Sequence, residues 1–402
     1  MFKIVSIFKF CYQAFNLNRI LFFILTLLVV FSCSLNNRKY KPIKNLNSKL
    51  NNSSANNKIR YALGYAMEEI GTGYYIVVFD PWHENDTLAT YLLYKDEKIK
   101  DFKNHRIDYK IKIPVANVAS LSLTYLGMFE LLGETERVIA TTEAKYIYNA
   151  ELYDKYVKGK MKSLGESMQI NGEAVIGLSP ALVMKYIYGG IETVDEQIAE
   201  AGIPIAYNME YLETHPLGRA EWIKFAGAFV DKYQKADSIF KKIENSYLSL
   251  CELAGKAAYK PTVLDGSIYQ GVWHAAGGKS YPAKLYSDAG ADYYWNIDSS
   301  RGNIPLSFEI IIDKQVDADY WIGPSRGTKK EMLSIDGKYS LLKAFRKDKV
   351  YRFDKRINPN GGLDYYESGV MHPDILLKDL IWVFHRELID SSYVPVYIEK
   401  IK

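Results

Sequence analysis

Residues able to do chemistry are sparse and scattered along the 402-residue chain. The six histidines, His83, His105, His215, His274, His372 and His385, never stand at the close spacing of a ligand pair, so a metal site would need convergence in space that the sequence does not demand. There is no GxSxG elbow, no HExxH and no CxxC, and no catalytic residue stands out. Gly277-Gly278-Lys279-Ser280 ends like a phosphate loop, but Trp273 occupies the place of its first glycine, which leaves a glycine-rich turn. Carboxylates are plentiful without a distinguishing spacing, so a glycosidase-like pair stays open. Aromatic surface is the abundant resource: 33 tyrosines, with 14% aromatic residues overall, can line a ligand site or simply reflect compositional bias.

The first residues read as an address. Lys3, Lys9 and Arg19 precede the apolar run Ile20 to Val30, followed by Phe31-Ser32-Cys33-Ser34. That run is short for a bilayer span of about 20 residues, and its order is that of an export signal. The stretch after Val30 resembles a bacterial lipobox, which makes Cys33 the lipidated first residue of the mature protein; an uncleaved N-terminal anchor is the alternative, and it too places the remainder outside the cytoplasm. Residues 34–58, rich in Asn, Ser and Lys with no acidic residue, predict a flexible tether. With Cys11 and Cys33 assigned to the leader, Cys251 is left without a disulfide partner.

The elements that must position any site alternate in type. Tyr74 to Phe79 and Tyr91 to Tyr94 predict a hairpin. Short β-branched runs at Ile113-Pro114-Val115, Val138 to Ala140, Leu182 to Met184 and Ile203 to Ile205 alternate with helical stretches from Ser122 to Leu132 and Val194 to Ala201, which argues for a parallel sheet covered by helices. Between Arg219 and Ala254, Trp222, Ala226, Phe229, Tyr233, Ala236, Phe240, Ile243, Tyr247 and Leu250 recur at helical spacing without a proline, predicting one long helix. Strands at Pro261 to Leu264, Tyr320 to Ile322 and Val350 to Phe353, then an amphipathic helix from Pro373 to Glu387, repeat the alternation. The predicted fold is α/β: two lobes, each a mostly parallel sheet flanked by helices, joined by one long rigid helix. The predicted boundaries are leader 1–33, tether 34–58, N-terminal lobe 59–218, interlobe helix 219–256 and C-terminal lobe 257–402.

Several stretches together carry a resemblance: Ile113-Pro114-Val115, Asn171-Gly172-Glu173-Ala174, His215-Pro216-Leu217-Gly218-Arg219, Leu306-Ser307-Phe308-Glu309 and Gly362-Leu363-Asp364-Tyr365-Tyr366. From about Ile113 to Glu387 the chain resembles the substrate-binding proteins of ABC importers that carry iron chelates, haem and cobalamin, in a Bacteroidetes-type branch. Ala181, where the family usually has Asp, and Arg386, where it often has Pro, depart from the pattern. The resemblance implies a lipoprotein without intrinsic cofactor or metal that captures a siderophore, haem or corrinoid between its lobes and delivers it to a permease with its ATPase. It also implies that Glu173 and Glu309 dock onto permease arginines. Trp82, Arg219, Trp273, Tyr281, Tyr365 and Tyr366 are the loop and element-end residues of a type to line such a cleft, rings offering area and Arg pairing with carboxylates or catecholates. A monomer is expected. An exported surface hydrolase, or a lipoprotein that scavenges ligand without a permease, are the alternatives.

The formal charge of +4 belongs to the N-terminal segments. From residue 59 onward there are 42 basic against 47 acidic residues, about −5, which gives nucleic-acid binding no electrostatic support.

Overall fold

The computed structural model describes residues 59–83, 86–96, 105–167, 169–323 and 327–402. All of these belong to one compact unit. Cys33, the leader and the tether lie outside the described residues.

An antiparallel meander leads the described chain: β1 (Tyr65–Ile70), β2 (Gly73–Phe79) and β3 (Thr87–Tyr94), with β4 (Tyr109–Lys112) pairing parallel to β3. The two-residue turn between β1 and β2 needs a positive φ, and Gly71 supplies it at +56°. The first lobe follows as β5 (Val118–Ser120), α1 (Leu126–Leu132), β6 (Val138–Thr141), α2 (Ala150–Val157), β7 (Lys162–Ser163), the small hairpin β8 (Gly165–Glu166) and β9 (Gln169–Ile170), α3 (Gly172–Leu178), β10 (Val183–Lys185), α4 (Thr193–Glu200) and β11 (Ile205–Tyr207). Its sheet runs β11-β10-β5-β6-β7 with every pair parallel. Strands β5 and β10 in the middle and β11 at the edge are buried throughout, which is why they read as apolar runs and not as alternating ones.

The continuous apolar stripe does not form one helix. It is divided into α5 (Pro216–Phe229) and α6 (Tyr233–Ala254), with Asp231 in left-handed backbone at φ +56° between them. The two run antiparallel: Gly227 packs against Ala236, Lys224 Nζ lies 3.1 Å from Asp237, and the His215 ring sits 6.2 Å from that of Tyr247. The stripe survives the reversal because both helices bury it in the same core, and an aspartate can take the turn conformation without the Gly or Pro that marks a break in sequence. Only α6, about 33 Å long at 1.5 Å per residue, carries the chain into the second lobe. Cys251, half-buried on it, has its thiol pushed up to about 12, chiefly by burial.

Two carboxylates fasten the entering chain to this hairpin. Glu221, fully buried, accepts the backbone N–H of Arg60, Tyr61 and Ala62 at 2.7–3.1 Å and the Lys224 ammonium at 3.0 Å. Glu213 accepts Leu63 and Gly64 N–H at 2.9 Å and Trp222 Nε1 at 3.0 Å.

The second lobe comprises β12 (Thr262–Asp265), β13 (Ser267–Tyr269), β14 (Val272–Ala276), α7 (Tyr281–Asp288), β15 (Asp292–Tyr293), β16 (Asn303–Leu306), α8 (Phe308–Gln315), β17 (Tyr320–Ile322), α9 (Lys329–Ile335), α10 (Lys343–Arg346), β18 (Val350–Arg352), α11 (Asp364–Glu367), α12 (Pro373–Phe384) and β19 (Glu399–Lys400). Its main sheet runs β15-β12-β17-β18-β19, parallel except for β19, and β13-β14-β16 form a separate antiparallel sheet. One core joins the first lobe, the helical hairpin and α12. A second, around Trp273, Trp321 and Tyr339, lies in the second lobe. Among the described residues no helix is long and apolar enough to cross a membrane.

Candidate functional site

In an open α/β sheet, ligands bind past the carboxyl ends of the strands, near the point where strand order reverses. A concavity of about 910 Å³ lies in that position. Ser122 to Thr124 follow β5, Glu143 and Tyr146 follow β6, Tyr186 and Tyr188 follow β10, and Glu210 and Tyr211 follow β11. The second lobe closes the opposite wall with Asn360 to Leu363 and Tyr366.

That wall is stitched to the first lobe. Asn358 Nδ2 donates to Lys145 O at 3.0 Å and Ile147 O at 2.9 Å, and Asn360 Nδ2 donates to Lys145 O at 2.9 Å. The Glu367 carboxylate accepts Tyr148 and Asn149 N–H at 2.7 and 2.8 Å. Gly362 lies so near Tyr146 O that a Cβ would approach it to 1.8 Å, so glycine is required there for the lobes to meet.

Tyrosines dominate the cleft. Tyr186 and Tyr211 meet edge to face at 5.4 Å, and Tyr211 donates its hydroxyl to Ile187 O at 2.8 Å, which fixes that pair. Tyr188 and Tyr366, 73% and 53% exposed, leave their rings open to an incoming molecule. Glu143 takes a left-handed φ of +52° at the rim, and its carboxylate accepts Ser167 Oγ at 2.6 Å. A non-glycine residue in that conformation is strained, which is commonest where side-chain placement matters for function.

A smaller chamber of about 200 Å³ adjoins the cleft behind Leu363 and Tyr366. It occupies the matching position in the second lobe: Asp265 ends β12, Gly323 follows β17 and Arg352 ends β18. Asp265 accepts the Tyr286 hydroxyl at 2.5 Å and Ala276 N–H at 2.8 Å, yet burial pushes its carboxyl up to about 6. Arg352 Nε lies 2.8 Å from Asp354 Oδ2, and its Nη1 donates to Gly327 O at 2.7 Å. Asp354 Oδ1 is buried with no hydrogen-bond partner among the described residues.

The six residues expected to line a cleft separate into groups. Tyr366 lines both chambers, and Tyr365 lines the smaller one, stacked on Phe353 at 4.9 Å. Arg219 and Tyr281 lie one layer behind the floor: the Arg219 guanidinium pairs with Glu210, which does line the cleft, and rests 5.3 Å from the Tyr281 ring. Burial pulls Arg219 down, but the Glu210 carboxylate outweighs it and leaves the guanidinium above its ordinary pKa. Trp273 is a correction: fully buried, 5.3 Å from Trp321 and donating Nε1 to Asp265 O at 2.8 Å, it is core and has no cleft surface. Trp82 is also elsewhere, in the turn after β2, half-buried against the first core.

Glu143, Glu210, Asp265, Asp354 and the tyrosines Tyr146, Tyr186, Tyr188 and Tyr211 went unmarked in the sequence. A usable signal was present: each follows or ends a strand of a parallel sheet, where side chains face a ligand.

Glu173 and Glu309 are exposed and occupy equivalent places, each the second residue of a helix after a capping side chain. Asn171 Oδ1 accepts Ala174 N–H at 2.9 Å, and Ser307 Oγ accepts Ile310 N–H at 3.4 Å. Hydrogen bonds from its own backbone N–H and from the Ser307 hydroxyl hold the Glu309 carboxyl below its ordinary value. Among the described residues no group of three or more His, Cys, Asp or Glu could hold a metal ion.

Known proteins are similar to this chain in sequence or in fold. An uncharacterized lipoprotein of Methanocaldococcus jannaschii is 26% identical over 306 residues, covering 73% of this chain and 71% of that protein. The periplasmic heme binding protein of Pseudomonas aeruginosa has the same fold at 17% identity and a TM-score of 0.55, covering 72% of this chain and 98% of that one. So does the periplasmic heme binding protein HutB of Vibrio cholerae, at 16% identity and a TM-score of 0.52, covering 65% and 98%. Residues 118–357, which contain the whole first-lobe sheet, the hairpin and the second-lobe strands through β18, match the periplasmic binding protein family, and the chain belongs to it.

Proposed function

We propose that this protein is the ligand-capturing lipoprotein of an ABC importer. It takes up an iron chelate, siderophore or haem, or a cobalamin-like corrinoid in the interlobe cleft and hands it to a permease driven by an ATPase. It acts as a monomer, held to the outer face of a membrane by lipid on Cys33, and docks through Glu173 and Glu309.

One observation carries the reading. The first-lobe sheet directs the carboxyl ends of its strands at a tyrosine-lined cleft of about 910 Å³, in the upper part of the roughly 300–1,000 Å³ range of small-molecule sites, and the second-lobe sheet directs its own at the adjoining chamber. Exposed rings on both walls, Tyr188 and Tyr366, suit a flat, ring-rich ligand. The stitched wall and the single linking helix α6 favour a small closure over a wide hinge motion. The lipobox-like Cys33 agrees with the lipoprotein names of relatives.

The test is to purify the chain from residue 34 onward and identify what copurifies by absorbance and mass spectrometry. A chelate, porphyrin or corrinoid at near-stoichiometric amount supports the carrier. A preparation that neither retains nor takes up any member of these three classes overturns it.

A further inference from the structure

We propose that the two chambers together select a neutral or positively charged ring ligand, one whose hydrogen-bond-donating arm enters the smaller chamber, and that they reject polyanionic chelates. This rests on the reading of the cleft as the carrier's ligand site.

The argument is one of charge and lone pairs. Four carboxylates line the chambers, Glu143 and Glu210 in the larger and Asp265 and Asp354 in the smaller. Two guanidiniums stand against them, and both are already engaged. Arg219 is held by Glu210 with one face covered by Tyr281, and only 13% of its side chain is exposed. Arg352 is ion-paired with Asp354 and donates Nη1 to the carbonyl of Gly327, although its Nε, 2.8 Å from Asp354 Oδ2, makes no hydrogen bond there. Among the described residues no unpaired guanidinium lines the chambers to give the bidentate grip that citrate, catecholate or propionate groups need. Lys145, at the outer wall, has its ammonium over the Tyr146 ring at 4.8 Å and does not line the cleft.

What the chambers lack, among the described residues, is a cation to spare: their remaining donors are neutral hydroxyls and amides. Among the described residues Glu143 and Asp265 have no cation paired with them; Asp265 is stabilised by the Tyr286 hydroxyl and by the backbone N–H groups of Ala276 and Gly266. Asp354 Oδ1, in a residue only 7% exposed, has an unused acceptor position. A buried acceptor without a partner is unfavourable until something supplies the hydrogen, and an amide or ammonium arm passing Tyr366 would do so. The enclosure that raises the Asp265 carboxyl also desolvates whatever enters the smaller chamber, so an unpaired negative charge is penalised there.

The experiment titrates detergent-solubilised full-length protein by intrinsic fluorescence with three probes. These are cyanocobalamin, neutral with amide arms; haemin, with two propionates; and ferric citrate, polyanionic. The wild type is expected to bind the corrinoid at least 10-fold more tightly than haemin and 100-fold more tightly than ferric citrate. Asp265→Asn and Asp354→Asn are each expected to weaken corrinoid binding about 10-fold while leaving haemin unchanged or improved, with folding checked by near-ultraviolet circular dichroism. Wild-type preference for haemin or ferric citrate overturns the charge selection and leaves the carrier intact, and this ranking needs no variant to fold. Undiminished corrinoid binding in both folded variants overturns the role of the smaller chamber. Binding of none of the three overturns the carrier reading and this proposal with it.

Discussion

Arg219→Met tests whether this residue is a ligand contact or a counter-charge. Arg219 and Glu210 are both almost fully enclosed, with side chains 13% and 2% exposed. Removing one partner of such a pair leaves the other charge buried without compensation, which costs about 3–5 kcal/mol. Loss of the guanidinium from the Tyr281 ring adds about 1–2 kcal/mol. The single variant is therefore expected to lose about 4–7 kcal/mol, summing these two contributions. Arg219→Met with Glu210→Gln removes both charges. It should regain about 3 kcal/mol, because only the ring contact and some packing stay lost. Urea unfolding followed by tryptophan fluorescence reads both values, and ligand titration on the folded double variant reads function. Affinity within about 3-fold of that of Glu210→Gln alone is expected there, since Arg219 lies behind Glu210 and not at the surface of the cleft. A single variant as stable as wild type, a double variant no more stable than the single, or a 30-fold lower affinity in the double than in Glu210→Gln alone would refute the counter-charge role.

Four further outcomes follow from the geometry. Trp273→Ala should destabilise by about 3–5 kcal/mol, measured by urea unfolding, as expected for a large side chain removed from a sealed core; unchanged stability with weakened binding would return it to the cleft. Tyr366→Ala, at a half-exposed ring, should change stability by less than about 0.5 kcal/mol while reducing ligand affinity 10-fold or more; equal affinity excludes the ring from the site. Glu213 and Glu367 are both held up to about 7 by burial, so the native state keeps protons that the unfolded chain releases near 4.5. Their contribution is complete below that pH and disappears as pH rises through 7, so Glu213→Gln should flatten the decline of stability from pH 5 to 7.5, and an unaltered slope counts against it. Reversing charge at Glu173 and Glu309 together should abolish uptake by cells with ligand affinity intact; normal uptake removes the docking assignment.

Periodicity and short apolar runs made the parallel sheets, the β2–β3 hairpin and helix α12 legible, because buried strands and amphipathic faces leave local patterns. The turn at Asp231 left none. A helix reversal changes the direction of an apolar stripe without changing its spacing, and the packing of Gly227 on Ala236 is visible only in three dimensions. Trp273 and Tyr366 show the same limit for the site. Both are aromatic residues at element ends, yet one is sealed against Trp321 and the other is half-exposed over two chambers. Glu210 and Arg219, nine residues apart with a turn and a helix start between them, become a pair only when α5 folds back beside β11.

The fastening of residues 60–64 has a mechanical consequence. A pull reaching Arg60 from the N-terminal side is borne first by Glu221, Glu213 and, through the Arg60 and Tyr61 side chains, Glu244, before any strand of the meander carries tension. Glu213 is three residues from Glu210 in the cleft floor, and Glu221 is two from Arg219, the residue that holds it. In the proposed carrier, leash and cargo thus bear on the same twelve residues of chain, 210–221, so force at the anchor has a short path to the binding floor.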